Sequence, residues 1–199
     1  YLATALGNEY LKSDRPDLAS NWFEKALGFA PAHREAHQGI IRAFESLDDS
    51  QNEMASYRTY LERYPTDLPM RTSFVHLLLG AKEYMEATEQ IQTALTYGNE
   101  DSELARLLAF CYRKTGQFRE AAVVYRSLLK AEPKNEDHLR SLCFCLESLG
   151  NRHTAVLLLA RATDYFPPSP ELRLIYGVLL FKDGDLEKAL EQFRAVLME

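Results

Sequence analysis

Residues 6–31 read LGNEYLKSDRPDLASNWFEKALGFAP, and no single helix requires the order of sizes they contain. A Leu6-Gly7 pair is followed by Tyr10, Ala19, Phe23, Ala26 and Pro31, and the same order returns every 34 residues. Ala19 is followed by Glu53, Ala87, Ala121, Ala155 and Ala189, and Phe23 by Tyr57, Ile91, Tyr125, Leu159 and Phe193. Leu6 leads to Ile40, Phe74, Leu108, Leu142 and Tyr176; Tyr10 leads to Phe44, Leu78, Tyr112, Leu146 and Leu180. The Pro31 column continues as Pro65, Asn99, Pro133 and Pro167. No insertion breaks the register, so the chain is an array of one structural unit.

Each unit reads as two antiparallel helices. Leu6 and Tyr10 lie one turn apart on the first, while Ala19, Phe23, Ala26 and Leu27 form a stripe on the second. Between them the later units place Gly116, Gly150 and Gly184, residues able to enter the left-handed conformation that ends a helix, and Asp185 can cap the helix that follows. Prolines 31, 65, 133 and 167 close the second helix, because proline disfavours helical geometry in the residue before it. Ser169-Pro170-Glu171 then supplies a cap, a first-turn proline and an acid for the helix dipole. Gly7, Ala109, Cys143 and Gly177 form a column of small residues that lets helix backbones approach.

The order Leu6-Gly7, Tyr10, Ala19, Phe23, Pro31 resembles the tetratricopeptide repeat, a helix-turn-helix unit of about 34 residues. That resemblance implies an all-α, right-handed superhelical α-solenoid of antiparallel helix pairs. It covers the chain as a single domain of six units, about 1–33, 34–67, 68–101, 102–135, 136–169 and 170–199. Ala3 stands where a Trp is often found, Glu53 breaks the alanine column, Tyr60 takes the place of Ala26, and Ile41 and Val75 replace the small residue of the Gly7 column. The RNA-binding pentatricopeptide family has a similar architecture, but its repeat is usually one residue longer and its chains are basic.

Composition narrows the chemistry. A net charge of −6 argues against a general nucleic-acid binder. No apolar run reaches the roughly 18 residues a membrane span requires. Cys111, Cys143 and Cys145 are an odd set inside apolar helical stretches, which points to buried thiols in a reducing, cytoplasmic compartment rather than a disulfide framework. His33 and His37 are one turn apart, yet only two ligands are visible, and a helix start with one histidine packed and one solvated is the plainer reading. Cys143 and Cys145 point in different directions on a helix, and Asp183-Gly184-Asp185 lacks the other ligands of a calcium loop. Neither a phosphate-binding glycine loop nor a nucleophile–histidine arrangement occurs, so the expectation is no cofactor, no metal and no catalysis.

Solenoids bind along the extended surface lined by their first helices. The residues expected to face that groove include Thr4, Asn8 and Lys12, then Gln38 and Arg42, then His76, then Arg106, Phe110 and Arg113, and finally Arg140 and Phe144. Arginines beside aromatic rings suit a protein or peptide segment carrying acidic and apolar side chains. In the plainer reading the arginines pair with Glu103, Asp137 and Glu147 while the phenylalanines pack between helices. Some members of the resembled family hold a C-terminal carboxylate with Lys and Asn, Asn, then Lys and Arg on three consecutive first helices; only Asn8 fits, with Thr4, Gln38, Arg42, Thr72 and His76 in the other places.

Leu174, Val178, Phe181, Phe193 and Leu197 leave the last unit unusually apolar, which suggests docking or self-association through that end, or a chain that is part of a longer protein. Two functional classes follow. One is a non-catalytic interaction scaffold within a larger assembly; the other is the substrate-recruiting or regulatory arm of an enzyme whose catalytic domain lies elsewhere.

Overall fold

The computed structural model describes residues 2–98, 102–163 and 167–198. The described residues form twelve α-helices and no strand. The chain divides into two compact bodies, one running to Asn99 and the other from Glu100. The first holds α1 (Leu2–Lys12), α2 (Pro16–Phe29), α3 (Arg34–Ser46), α4 (Ser50–Arg63), α5 (Leu68–Gly80) and α6 (Tyr84–Tyr97). The second holds α7 (Ser102–Lys114), α8 (Phe118–Ala131), α9 (Glu136–Ser148), α10 (Arg152–Thr163), α11 (Pro170–Asp183) and α12 (Leu186–Met198). Each body is therefore three helix pairs. Asn99 of the proline column lies outside the described residues.

All six pairs turn in the same way. One residue per turn takes a positive φ: Asp14, Asp48 and Lys82 in the first body, Gly116, Gly150 and Gly184 in the second, all in one 34-residue column. The amide that follows then donates back to the carbonyl of the Tyr10 column. Arg15 reaches Tyr10 at 2.9 Å, Asp49 reaches Phe44 at 3.0 Å and Glu83 reaches Leu78 at 2.9 Å. In the second body Gln117, Asn151 and Asp185 reach Tyr112, Leu146 and Leu180 at 2.8, 2.8 and 3.0 Å. This six-to-one bond gives a carbonyl of the last helical turn a partner from beyond the helix. The glycines behave as the sequence predicts; the three non-glycine residues sharing their geometry are a finding.

The next helix start is also periodic. His33, Asp67, Asn135 and Ser169 each accept, through the side chain, the amide three residues on, capping α3, α5, α9 and α11. The fifth member of that column, Asp101, lies outside the described residues. Asp185 accepts the Lys188 amide at 3.2 Å, as expected. His33 is thus a cap rather than a solvated side chain. His37 is buried, with Nε2 3.0 Å from the Pro31 carbonyl, and 34 residues later the buried Arg71 donates to the Pro65 carbonyl at 2.7 Å. The proline that ends one helix thus leaves a carbonyl which the next helix satisfies.

Packing follows the size columns. In the first body Phe23 is fully buried, and a Cβ placed on Gly7 or Gly39 would sit 2.6 or 2.5 Å from its ring. Only glycine permits that approach, and burying such a ring stabilises the fold by about 1.5–3 kcal/mol. Tyr57 stacks on Phe74 with centroids 5.2 Å apart. Tyr60, in the place of Ala26, is buried without leaving its hydroxyl unpaired: it donates to Asp67 and accepts from Arg34 Nε at 2.8 Å and Gln38 Nε2 at 3.2 Å. Arg34 also pairs with Asp67. Glu53 is buried in its alanine column, and loss of water together with the nearby Glu45 charge raises its carboxyl pKa.

The second body repeats the arrangement with apolar residues. Ala121, Ala155 and Ala189 are buried with Tyr125, Leu159, Leu142 and Leu146 in one core. Phe193 lies against Gly177, where an added Cβ would meet the ring at 2.6 Å. All three cysteines are free and buried, and burial pushes the Cys143 thiol up to about 12, so it stays protonated and unreactive.

Candidate interaction groove

In the first body the first-helix side chains are mostly tied to their neighbours. Asn8 donates to Glu35 at 2.9 Å, Lys12 pairs with Glu9 at 2.7 Å, and Gln38 is held by Tyr60. Arg42 Nε is 3.4 Å from the Gln38 carbonyl, and His76 is exposed on α5. Thr4, expected in the groove, is instead buried at 2% exposure. It lies one turn before Gly7 on the same packed face, and the close approach that Gly7 permits covers both.

The second body brings the remaining residues together on α7, α9 and α11. Arg106 pairs with Glu103, and Arg140 pairs with Asp137 and with Glu171 of the following helix. Glu147, expected to take one of these arginines, instead meets Lys182 at 2.6 Å and Arg152 at 3.9 Å. Arg113 differs from the other two. Among the described residues it has no carboxylate partner, its Nε is buried without a hydrogen-bond partner, and its guanidinium lies 5.6 Å from the ring centroids of both Phe110 and Phe144. Aromatic faces attract a cation but leave its outer N–H groups free to bind an anion. Phe144 is 47% exposed and meets Phe118 edge-on at 5.8 Å.

Beside Arg113 lies a hollow of about 450 Å³, walled by Arg140, Phe144 and Glu147 of α9 and by Leu174, Ile175 and Val178 of α11. A second depression of about 330 Å³ opens between α7 and α9, with Arg106, Phe110 and Asp137 in its walls. Arg113 borders both. The five residues expected to dock at the end of the chain are separated. Leu174 and Val178 belong to the groove wall, Phe181 is exposed further along α11, and Leu197 is 86% exposed near the end of α12. Phe193 packs into the core against Gly177, because its repeat position faces the preceding helix. The sequence carried a signal for the distinction among the arginines: Glu103 and Asp137 each stand three residues before an arginine, and no acid stands at that distance before Arg113.

Among the described residues no group of three His, Cys, Asp or Glu side chains could hold a metal, and no helix is long and apolar enough to cross a membrane.

One tetratricopeptide repeat model matches residues 4–67 and 146–198, and a second matches residues 78–143. This chain belongs to the tetratricopeptide repeat family, whose repeats are in general protein-interaction scaffolds. A TPR repeat-containing protein of Dictyostelium discoideum is 26% identical over 174 residues, which cover 86% of this chain and 62% of that relative. Among solved structures, YrrB, a TPR protein with an unusual peptide-binding site, is similar at 19% identity and a TM-score of 0.66, covering 88% of this chain and 90% of its own. PilW, a type IV pilus biogenesis factor, is similar at 19% identity and a TM-score of 0.59 over 100% and 92% of the two chains.

Proposed function

We propose that this chain is a non-catalytic scaffold whose second body holds an extended protein segment between α9 and α11, as part of a larger assembly. The observation that carries this reading is Arg113: a guanidinium flanked by two aromatic rings, without a carboxylate among the described residues, at the edge of a hollow with an apolar wall. In this reading an acidic side chain of the segment seats on Arg113, and apolar side chains lie against Phe144, Leu174 and Val178. Arg140 shapes the groove through its pairs with Asp137 and Glu171 rather than binding directly. Asn8, Lys12, Gln38, Arg42 and His76 present a polar surface on the first body by itself, which a segment held between α9 and α11 leaves uncovered.

Selection of random 12-residue peptides displayed on phage against the purified chain tests this. Selected peptides should carry an acidic residue near an apolar one. Their affinity should fall about ten-fold or more in Arg113→Glu, as expected for loss of a central charged anchor. Arg106→Glu, whose native side chain already meets Glu103, should change affinity by less than about three-fold. Equal losses in the two variants, or none in Arg113→Glu, would reject the site.

A further inference from the structure

The side of α9 opposite Arg140 and Phe144 opens a different hollow, of about 270 Å³, on the face formed by the second helices α8 and α10. Leu142 and Leu146 of α9, Leu129 of α8 and Leu158 of α10 line it, and Arg126 and Lys130 stand at its edge. These two cations are exposed, one helical turn apart, and form no ion pair among the described residues. The charge of this face runs against that of the chain. Glu120 is the one acid in α8 and α10, against Arg119, Arg126, Lys130 and Arg161 on exposed positions, in a protein whose net charge is −6. Val123 and Leu157, 61% and 52% exposed, extend apolar surface on α8 and α10.

We propose that this face is a second docking site, taking an acidic amphipathic helix of a partner protein. A leucine or phenylalanine of the helix enters the leucine-lined hollow, and carboxylates one turn apart pair with Arg126 and Lys130. The apolar floor favours a protein over a nucleic acid or an anionic bilayer, because phosphates would be met by the cations alone and would leave the leucines uncovered. The site shares no lining residue with the groove beside Arg113, so the two can be occupied independently.

The test uses the full chain carrying Arg113→Glu, which removes the first site's anchor, and a displayed library of 18-residue helical peptides. Enrichment of sequences with a leucine or phenylalanine flanked by acids is expected. Their affinity should drop at least ten-fold in Arg126→Glu/Lys130→Glu, be retained in Arg126→Lys, and fall about three-fold in Leu157→Ala, with unchanged circular dichroism. Absence of such enrichment, or peptides indifferent to the double reversal, overturns the proposal. It is also overturned if phosphatidylserine vesicles or a 20-base-pair DNA duplex lose binding on the double reversal while the peptides do not.

Discussion

The two bodies of this chain solve one backbone problem with different side chains. Where the second body ends its first helices with Gly116, Gly150 and Gly184, the first uses Asp14, Asp48 and Lys82 at the same left-handed positions. Where the second buries alanine in the Ala19 column, the first buries Glu53 in one of its three units. Where the second packs leucines, the first ties Tyr60, Arg34, Gln38 and Asp67 into a hydrogen-bonded cluster. The comparison teaches that a repeat specifies the positions of its backbone groups and the sizes that let them approach. Any chemistry that respects those two demands is tolerated, at some cost in stability.

The largest expected effect probes what the bodies share. Phe23→Ala should destabilise by about 3–5 kcal/mol, because the ring fills the gap between Gly7 and Gly39 and leaves a cavity when removed. Chemical denaturation measures it, and a loss below about 1 kcal/mol would mean that the size columns do not hold the helices together. In the second body Gly177→Val should cost about 1–3 kcal/mol by forcing a side chain into Phe193. A smaller loss there than at Gly39→Val would show the terminal pair to be the more compliant of the two.

Glu53 and the turn residues mark where the bodies differ. Glu53→Ala should stabilise the chain by about 1 kcal/mol at neutral pH, restoring the residue found in the other five units. The raised carboxyl pKa means that the folded state holds this proton more tightly than the unfolded chain does. The native glutamate is therefore least harmful below its unfolded pKa, and its penalty grows as pH rises through the folded pKa. The gain from Glu53→Ala should accordingly shrink on acidification; a gain independent of pH would assign the effect to helix propensity alone. An effect of similar size belongs to the turn column. Lys82→Gly should stabilise by about 1 kcal/mol by relieving left-handed strain, while Gly150→Ala should destabilise by a similar amount, since nothing lies near the added Cβ and only the backbone objects.

Much of the fold was legible because its causes are local or periodic. The 34-residue spacing located every helix pair, and the glycines of the later units announced their turns. Asp14, Asp48 and Lys82 stand in the same column but carry a weaker signal, since none prefers the left-handed conformation as strongly as glycine does. The caps His33, Asp67, Asn135 and Ser169 share one column, but their side chains differ, and only Ser169 stands directly before a proline. Gly39 lies outside the Gly7 column, and only Phe23 of the preceding helix explains it. The groove was less legible than the fold. Sequence position places Arg106 and Arg113 on one first helix and Arg140 on the next, but which of them keeps a free guanidinium depends on Glu103, Asp137 and Glu171. Glu171 comes from the next helix, beyond the reach of any local pattern.

Hydrogen exchange of the full chain, with and without a peptide selected by the groove, decides whether an extended segment lies between α9 and α11. Exchange should slow in residues 136–148 and 170–183, with α1, α3 and α5 unchanged and the effect absent in Arg113→Glu. Protection confined to the first body, or protection that survives Arg113→Glu at the same peptide concentration, would contradict it.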